Sequence, residues 1–484
     1  MRRRILCAVL TCTILVQLIV LTACQSPAAD STGSPSGEPS AGQTGGDASQ
    51  NVETSTPEPT PTPEPPMEYY IRDAADRSQY ILVENAAPDD GVQYYIMDPE
   101  DDSRYLAVEL VDNNSSSGYG YELVVASPLT DEQVVSILEE TLQDGYSAIA
   151  VSVGVIEDGA VTASGAWGWA VRNEREMTAD TKLRVASLSK VAVGLCAMAM
   201  AEDGLLELDA PLSTYWGDDI RNPYSQSQPS ASTLMTHTSS IMDRPIQGGL
   251  ANLRGVLRNS WLNREPGNGG YWYYNNFGFC VLGTTLELAA NETLDTYLQD
   301  RYLAPLGIRA SLFSGNMDAD ELACLYNLFG GVERSTLAQA TQAVPTEIGA
   351  GAAYFPGGLT ISAPDLAKLV AILANDGVYD GERYLSAESV ANMETARFAV
   401  DYLEDTWPFE QCLVIRHQED LMGRDNIYYH TGSAYGVYNL LSYDPDTGDG
   451  VVVLTIGASG QKNERGLYAL CAELSERLYA AMED

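Results

Sequence analysis

Two pairs of strand-forming runs at opposite ends of the folded part constrain this chain most. Ala148 to Ile156 and Ala160 to Val171 flank Glu157-Asp158-Gly159, while Val437 to Tyr443 and Val451 to Ile456 flank Asp444-Pro445-Asp446-Thr447-Gly448-Asp449-Gly450. Apolar runs joined by Asp-Gly turns read as β-hairpins. Helical patterns border both. Thr130 with Gln133 forms a capping-box signal ahead of Val134, Ile137, Leu138 and Leu142, and Leu467, Leu470, Cys471, Leu474 and Leu478 recur at helical spacing near the end. The expected architecture is α+β. One antiparallel sheet is covered by helices from both ends, with a long, mostly helical insertion starting at Ser187 between the hairpins. Residues 129–484 exceed what a single core usually supports, so two lobes with a site in the crevice between them are expected.

Ahead of this lie three segments of different character. Met1-Arg2-Arg3-Arg4 followed by the apolar run Ile5 to Leu21 and by Leu21-Thr22-Ala23-Cys24 reads as a secretory signal over residues 1–23, with small residues directly before a cysteine as in bacterial lipoprotein signals. Cleavage there leaves Cys24 as the lipidated N-terminus; an uncleaved anchor is the alternative. Both place the bulk of the chain in the cell envelope, outside the cytoplasm and tied to a membrane. Residues 24–66 are rich in Ser, Gly, Thr and Pro and cannot bury a core. As a flexible tether they span roughly 35 Å. Residues 67–128 alternate Tyr-rich apolar runs with Asp, Asn, Gly and Ser turns, the pattern of a small β-rich module. It carries no catalytic constellation.

Charge and cysteine usage exclude some functions. Against 27 Lys and Arg stand 67 Asp and Glu, a net charge of -40. Phosphate binding needs clustered cations, so nucleic acid is excluded as a partner. Beyond Cys24 the chain carries Cys196, Cys280, Cys324, Cys412 and Cys471, odd in number and widely scattered, which is no disulfide framework. Cys196, Cys280 and Cys471 sit in apolar company and read as core residues.

Three motifs carry chemistry. In Val185-Ala186-Ser187-Leu188-Ser189-Lys190, a helix starting near Ser187 brings its hydroxyl beside the Lys190 amine, because positions three apart share a face. A serine hydroxyl needs such a neighbour to take its proton as it attacks. In Tyr274-Asn275-Asn276, a phenol near a lysine can share its proton load and an amide can hold the lysine or a substrate carbonyl. In His430-Thr431-Gly432-Ser433, at the start or end of a strand, the glycine lets a ligand backbone approach and the next N–H can face an oxyanion. His237 reads as a turn residue, and His417 has no partner motif.

Together, in this order and at these separations, the motifs resemble the serine β-lactamase and penicillin-binding superfamily, in the branch of class C β-lactamases, D-alanyl-D-alanine carboxypeptidases and related esterases. Met177 to Thr181, Gly204 to Asp209, Leu234 to Ser239, and Gly357-Gly358-Leu359 with Asp365 extend the resemblance over residues 131–484. It implies Ser187 as acylated nucleophile, Lys190 as its base, Tyr274 as proton carrier, and Asn276, His430, Thr431 and Gly432 as substrate-binding residues. The backbone N–H groups of Ser187 and Ser433 form the implied oxyanion hole. No metal or cofactor is required.

The implied function is acyl-enzyme hydrolysis of a small-molecule or peptide substrate. D-alanyl-D-alanine cell-wall peptides lead. β-Lactam turnover and ester hydrolysis follow, and a non-catalytic cell-wall-binding lipoprotein is the reading from another class. Two departures stand out. Ser240 replaces the glycine frequent after His-Thr-Ser, and His430 replaces the lysine usual in the β-lactamases. A histidine near its reference pKa is mostly neutral at pH 7, which favours a peptidase or esterase, or a substrate whose carboxylate is held otherwise. If protonated His430 anchors a substrate carboxylate, KM for acidic substrates rises between pH 6 and 7.5.

Overall fold

The computed structural model of the chain describes residues 67–83, 86–87, 92–98, 101–111, 120–123, 128–245, 249–401 and 407–483. The expected signal, Cys24 and the tether lie outside them. Among the described residues no helix is long and apolar enough to cross a membrane.

Both expected hairpins form and belong to one antiparallel sheet of nine strands. Its order is Phe398–Val400, Phe409–Gln411, Arg416–Leu421, Arg424–Ala434, Val437–Asp444, Asp449–Ile456, Ala150–Glu157, Ala160–Val171 and Arg175–Glu176. The seam between the two ends of the chain is the pairing of Asp449–Ile456 with Ala150–Glu157, running from Gly450↔Ile156 to Ile456↔Ala150.

Strand alternation sorts side chains onto two faces. Val151, Val153, Val155, Val451 and Val453 point to one, where they bury Val134 and Leu138 of the helix Asp131–Gln143 and Leu470, Leu474 and Leu478 of the helix Ala469–Ala481. The capping box is as read. Thr130 Oγ1 accepts from the Gln133 N–H at 3.3 Å and Gln133 Oε1 from the Thr130 N–H at 2.9 Å. On the opposite face Ile156, Val452 and Leu454 meet Leu366 and Val370 of the helix Ala363–Ala374. That helix comes so close that a Cβ on Gly154 would lie 2.8 Å from the Ala363 carbonyl oxygen.

The core under this second face continues without a break into the helical insertion. Its central helix, Ser189–Glu202, is buried from Ser189 to Met200 on every side. An all-round apolar helix has no solvent face, and this one needs none. The helix Asn276–Ala290 packs in the same cluster through Phe277, Phe279, Val281, Leu282 and Leu286.

The N-terminal module is a five-stranded sheet in the order Tyr80–Val83, Tyr69–Arg72, Tyr94–Asp98, Asp101–Val111, Gly120–Leu123. Among the described residues its own buried cluster is Tyr94, Ile96, Val108 and Leu110. Charge fastens it to the rest. From the turn after its first strand, Arg77 reaches Asp376 through Nε (3.0 Å) and Nη2 (2.6 Å), and Glu394 through Nη2 (3.0 Å). Asp76 and Ser78 bind Arg383 at 2.6 and 2.8 Å.

Candidate active site

A single 3₁₀ turn, Ala186–Leu188, leads into the central helix. Ala186 has φ 54°, a left-handed conformation uncommon outside glycine that persists only where the surroundings enforce it. They do so here. Ser189 Oγ donates to the Ala186 carbonyl at 2.6 Å and accepts from the Leu359 N–H at 3.0 Å, while the Val185 N–H donates to the Leu359 carbonyl at 2.9 Å. The bend leaves Ser187 half-buried with its hydroxyl over the Lys190 amine.

Lys190 is fully buried, and Nζ has three acceptors: Ser187 Oγ at 3.1 Å, Asn276 Oδ1 at 3.0 Å and the Pro356 carbonyl at 2.7 Å. An ammonium has three protons to give. The rings of Tyr274 and Phe279 lie 5.0 and 5.3 Å from it.

Tyr274 and Asn276 flank the start of the helix Asn276–Ala290. Asn275 caps it, with Oδ1 accepting from the Gly278 N–H at 2.8 Å. His237, buried and in a left-handed turn of φ 58°, holds this loop twice: Nδ1 accepts from the Asn275 N–H at 3.1 Å, and its carbonyl from the Tyr273 N–H. Its ring sits 4.4 Å from that of Tyr274. Burial, with the charges of Lys190 and Arg416, holds it well below the usual histidine range. A neutral histidine is what an accepting Nδ1 requires. Burial alone would raise the Tyr274 phenol, but the Lys190 charge, the polar groups of Lys190 and Ser187 beside it, and the Arg416 charge outweigh it and bring it below its ordinary value.

The third motif lies near the end of the strand Arg424–Ala434. Its hairpin partner closes on the pair Ala434↔Val437, so in the alternating ladder residues 430, 432 and 434 bond to the partner while Thr431 and Ser433 direct N–H and C=O the other way. On that other side the strand Arg416–Leu421 ends opposite Tyr429. Among the described residues no strand pairs with this edge from His430 onward, which leaves the Ser433 N–H and C=O facing outward from the sheet. Gly432 is pressed against the serine turn: a Cβ there would lie 2.6 Å from the Val185 carbonyl oxygen and 3.2 Å from Ser187 N.

His430 is buried, and its Nδ1 lies 2.7 Å from the Thr431 carbonyl, which fixes the neutral ring with Nδ1–H donating. Burial first, then the Arg416 and Lys190 charges, push it well below its ordinary 6.5. That direction weighs against the expectation that protonated His430 anchors a carboxylate near pH 6 to 7.5. The fixed cation at this end is Arg416, whose guanidinium carbon lies 4.5 Å from the Phe409 ring centre and 6.0 Å from that of Trp272.

All three motifs thus converge on one corner. The Pro356 carbonyl and Arg416 were missed in the sequence. The only signal for Pro356 was its place directly before Gly357-Gly358-Leu359. His237 is structural, as read, although it positions the Tyr274 loop. His417 stands apart, bound by Glu410 and Asn426 at 2.8 and 2.9 Å. Cys196, Cys280, Cys324, Cys412 and Cys471 are all buried and free. Ser240 takes the glycine-like conformation its position demands, φ 60°.

A fold with this sheet and a Ser-Lys-Tyr corner defines a class, and comparison with known proteins gives its family. The Beta-lactamase family model matches residues 135–474, and the chain belongs to that family. It is 28% identical over 250 residues to Protein Rv1367c of Mycobacterium tuberculosis, covering 46% of this chain and 61% of that one. Penicillin-binding protein 4 of Amycolatopsis lactamdurans is 26% identical over 289 residues, 58% of this chain and 74% of that one. Among solved structures, the beta-lactamase/D-alanine carboxypeptidase from Yersinia pestis superposes with a TM-score of 0.56 at 19% identity, over 72% of this chain and 99% of that one. That likeness is one of fold. The chain spans less than two thirds of the length of Protein Rv1367c.

Proposed function

We propose that this beta-lactamase-family chain is a serine hydrolase working through an acyl-enzyme, with peptides ending in D-alanyl-D-alanine as its leading substrates. The observation that carries the reading is Lys190 Nζ 3.1 Å from Ser187 Oγ with its two other partners neutral oxygens. A neutral amine has two protons. It donates them to Asn276 Oδ1 and the Pro356 carbonyl, and its lone pair then faces the Ser187 O–H. As Oγ bonds to the substrate carbonyl carbon, its proton passes to Nζ, and the carbonyl oxygen gathers charge toward the N–H groups of Ser187 and Ser433. Each such donor contributes roughly 2.7 to 4 kcal/mol to the transition state. Tyr274 relays the proton to the leaving amine. Water then repeats the sequence in reverse on the ester.

Arg416 supports a substrate with a terminal carboxylate, because it places a permanent cation where His430 is neutral. The names of the penicillin-binding and carboxypeptidase relatives point the same way. Anchoring to a membrane through Cys24 belongs to the same proposal, and its support is the basic, apolar and small-residue order of residues 1–24.

The test is intact-protein mass after incubation with a fluorescent penicillin, for the native chain and Ser187→Ala. A stable adduct present only in the native chain is the expected result. Drug consumed without an adduct would make β-lactam turnover the activity. Reaction only with p-nitrophenyl esters would make it an esterase, and no reaction at all would leave a wall-binding protein.

A further inference from the structure

The open edge of the Arg424–Ala434 strand has a second end. Three residues before Gly432 stands Tyr429, opposite Arg416; three residues after it stands Tyr435, about 10 Å along an extended backbone. Tyr435 and Gly436 form the two-residue turn to the next strand, with φ 52° and 81°. This turn type is normally built from Asn, Asp or Gly. A tyrosine there is strained, and such strain gathers at ligand sites.

Two arginines attend this ring. The guanidinium carbon of Arg334 lies 4.2 Å from its centre and that of Arg184 lies 5.0 Å away. Arg184 comes from the segment just before the serine turn, and its Nε donates to the Gly357 carbonyl, next to the Pro356 carbonyl that holds Lys190. Among the described residues the Arg334 side chain donates to the backbone carbonyl of Glu333 alone. Among the described residues neither arginine meets a carboxylate, in a chain with 67 acidic and 27 basic residues. Glu333, the nearest acid in sequence, is engaged by Asn327 Nδ2 at 3.0 Å. Burial disfavours the protonated form of Arg184; Tyr435 and Tyr354 oppose this, and the Arg334 charge beside it adds to it. An arriving anion would offset the repulsion between the two guanidiniums. Exposed Leu328 and Phe329, on the hairpin that carries Arg334, add an apolar shelf.

We infer that Tyr435, Arg184 and Arg334 form an anion subsite for the acyl side of the substrate. The favoured substrate then carries negative charge on both sides of the bond being cut, one against Arg416 and one here. This rests on the hydrolase reading for the position of that bond. An acyl peptide with a side-chain or terminal carboxylate beyond the scissile carbonyl is the chemical class.

The test separates binding from chemistry. Succinyl- and butyryl-D-alanyl-D-alanine, which are alike in length and differ in one charge, are titrated calorimetrically into the full-length Ser187→Ala chain. The succinyl peptide should bind about five- to tenfold more tightly, as for a charge-assisted pair. Arg334→Gln should erase the difference while leaving butyryl binding unchanged, and Arg334→Glu should invert it. Equal affinities for the two peptides, absence of binding by both included, or a preference that survives Arg334→Glu, would overturn the subsite. Fluorophosphonate labelling of the native chain runs alongside. Labelling together with equal affinities removes the subsite and keeps the hydrolase; no labelling together with a succinyl preference lost in Arg334→Gln removes the hydrolase and keeps the subsite.

Discussion

Lys190 and Arg77 are both basic side chains withdrawn from solvent, and their partners could hardly differ more. Arg77 is gripped by two carboxylates, Asp376 and Glu394, whereas Lys190 is ringed by a hydroxyl, an amide oxygen and a backbone carbonyl. Carboxylates fix a charge, and the Arg77 guanidinium is held above its already high range by them. Neutral oxygens serve an amine in either protonation state. One arrangement holds a charge, and the other is compatible with the proton exchange proposed for Lys190.

Breaking each in turn sharpens the contrast. Lys190→Met should lower kcat/KM at least about 10³-fold with little loss of melting temperature, read by steady-state kinetics and calorimetry. Tyr274→Phe should cost about 10²-fold in kcat, since a positioned proton carrier contributes 10²- to 10⁴-fold. Arg77→Met should do the reverse of Lys190→Met. Removing one partner of a buried ion cluster costs about 3 to 5 kcal/mol, seen in urea unfolding, while the rate of serine labelling stays within about twofold.

A fourth, smaller effect comes from pH. Burial, opposed by Arg77, raises the Glu394 carboxyl from 4.5 to about 7. A folded-state pKa above the unfolded one gives stability that is complete below pH 4.5 and is lost as pH climbs through 7. Stability should therefore fall between pH 5 and 8, by on the order of 2 kcal/mol from this group. Glu394→Gln should flatten the fall in melting temperature, and an unchanged slope would move the cause elsewhere. Smallest of all, KM for acidic substrates should change less than about twofold from pH 6 to 7.5, because His430 is already neutral there.

What the sequence disclosed was what is local. Ser187 with Lys190, Tyr274 with Asn276, and the two hairpins are patterns a few residues long, and spacing alone sets their geometry. Arg77 could not be found that way, because its partners lie 299 and 317 residues on. The third acceptor on Lys190 is a main-chain oxygen of Pro356, which no side-chain pattern marks. Arg416 arrives through antiparallel register opposite Tyr429. Ala186 bends left-handed because Ser189 and Leu359 hold it, and nothing in an alanine announces that. His430 was assigned its solution behaviour because burial is a property of the folded state.

The seam between Asp449–Ile456 and Ala150–Glu157 sets the order in which the molecule can be made. During synthesis the first of these partners leaves the ribosome nearly three hundred residues before the second, and contacts of such sequence separation form slowly. Until the last strand arrives, the Val-rich run Ala150–Glu157 has an unsatisfied edge open to aggregation. The strand bearing Thr431 and Gly432 likewise waits for Val437–Asp444. A chain cut short before residue 437 would hold Ser187, Lys190 and Tyr274 and yet lack the strand against which Thr431 and Gly432 are paired.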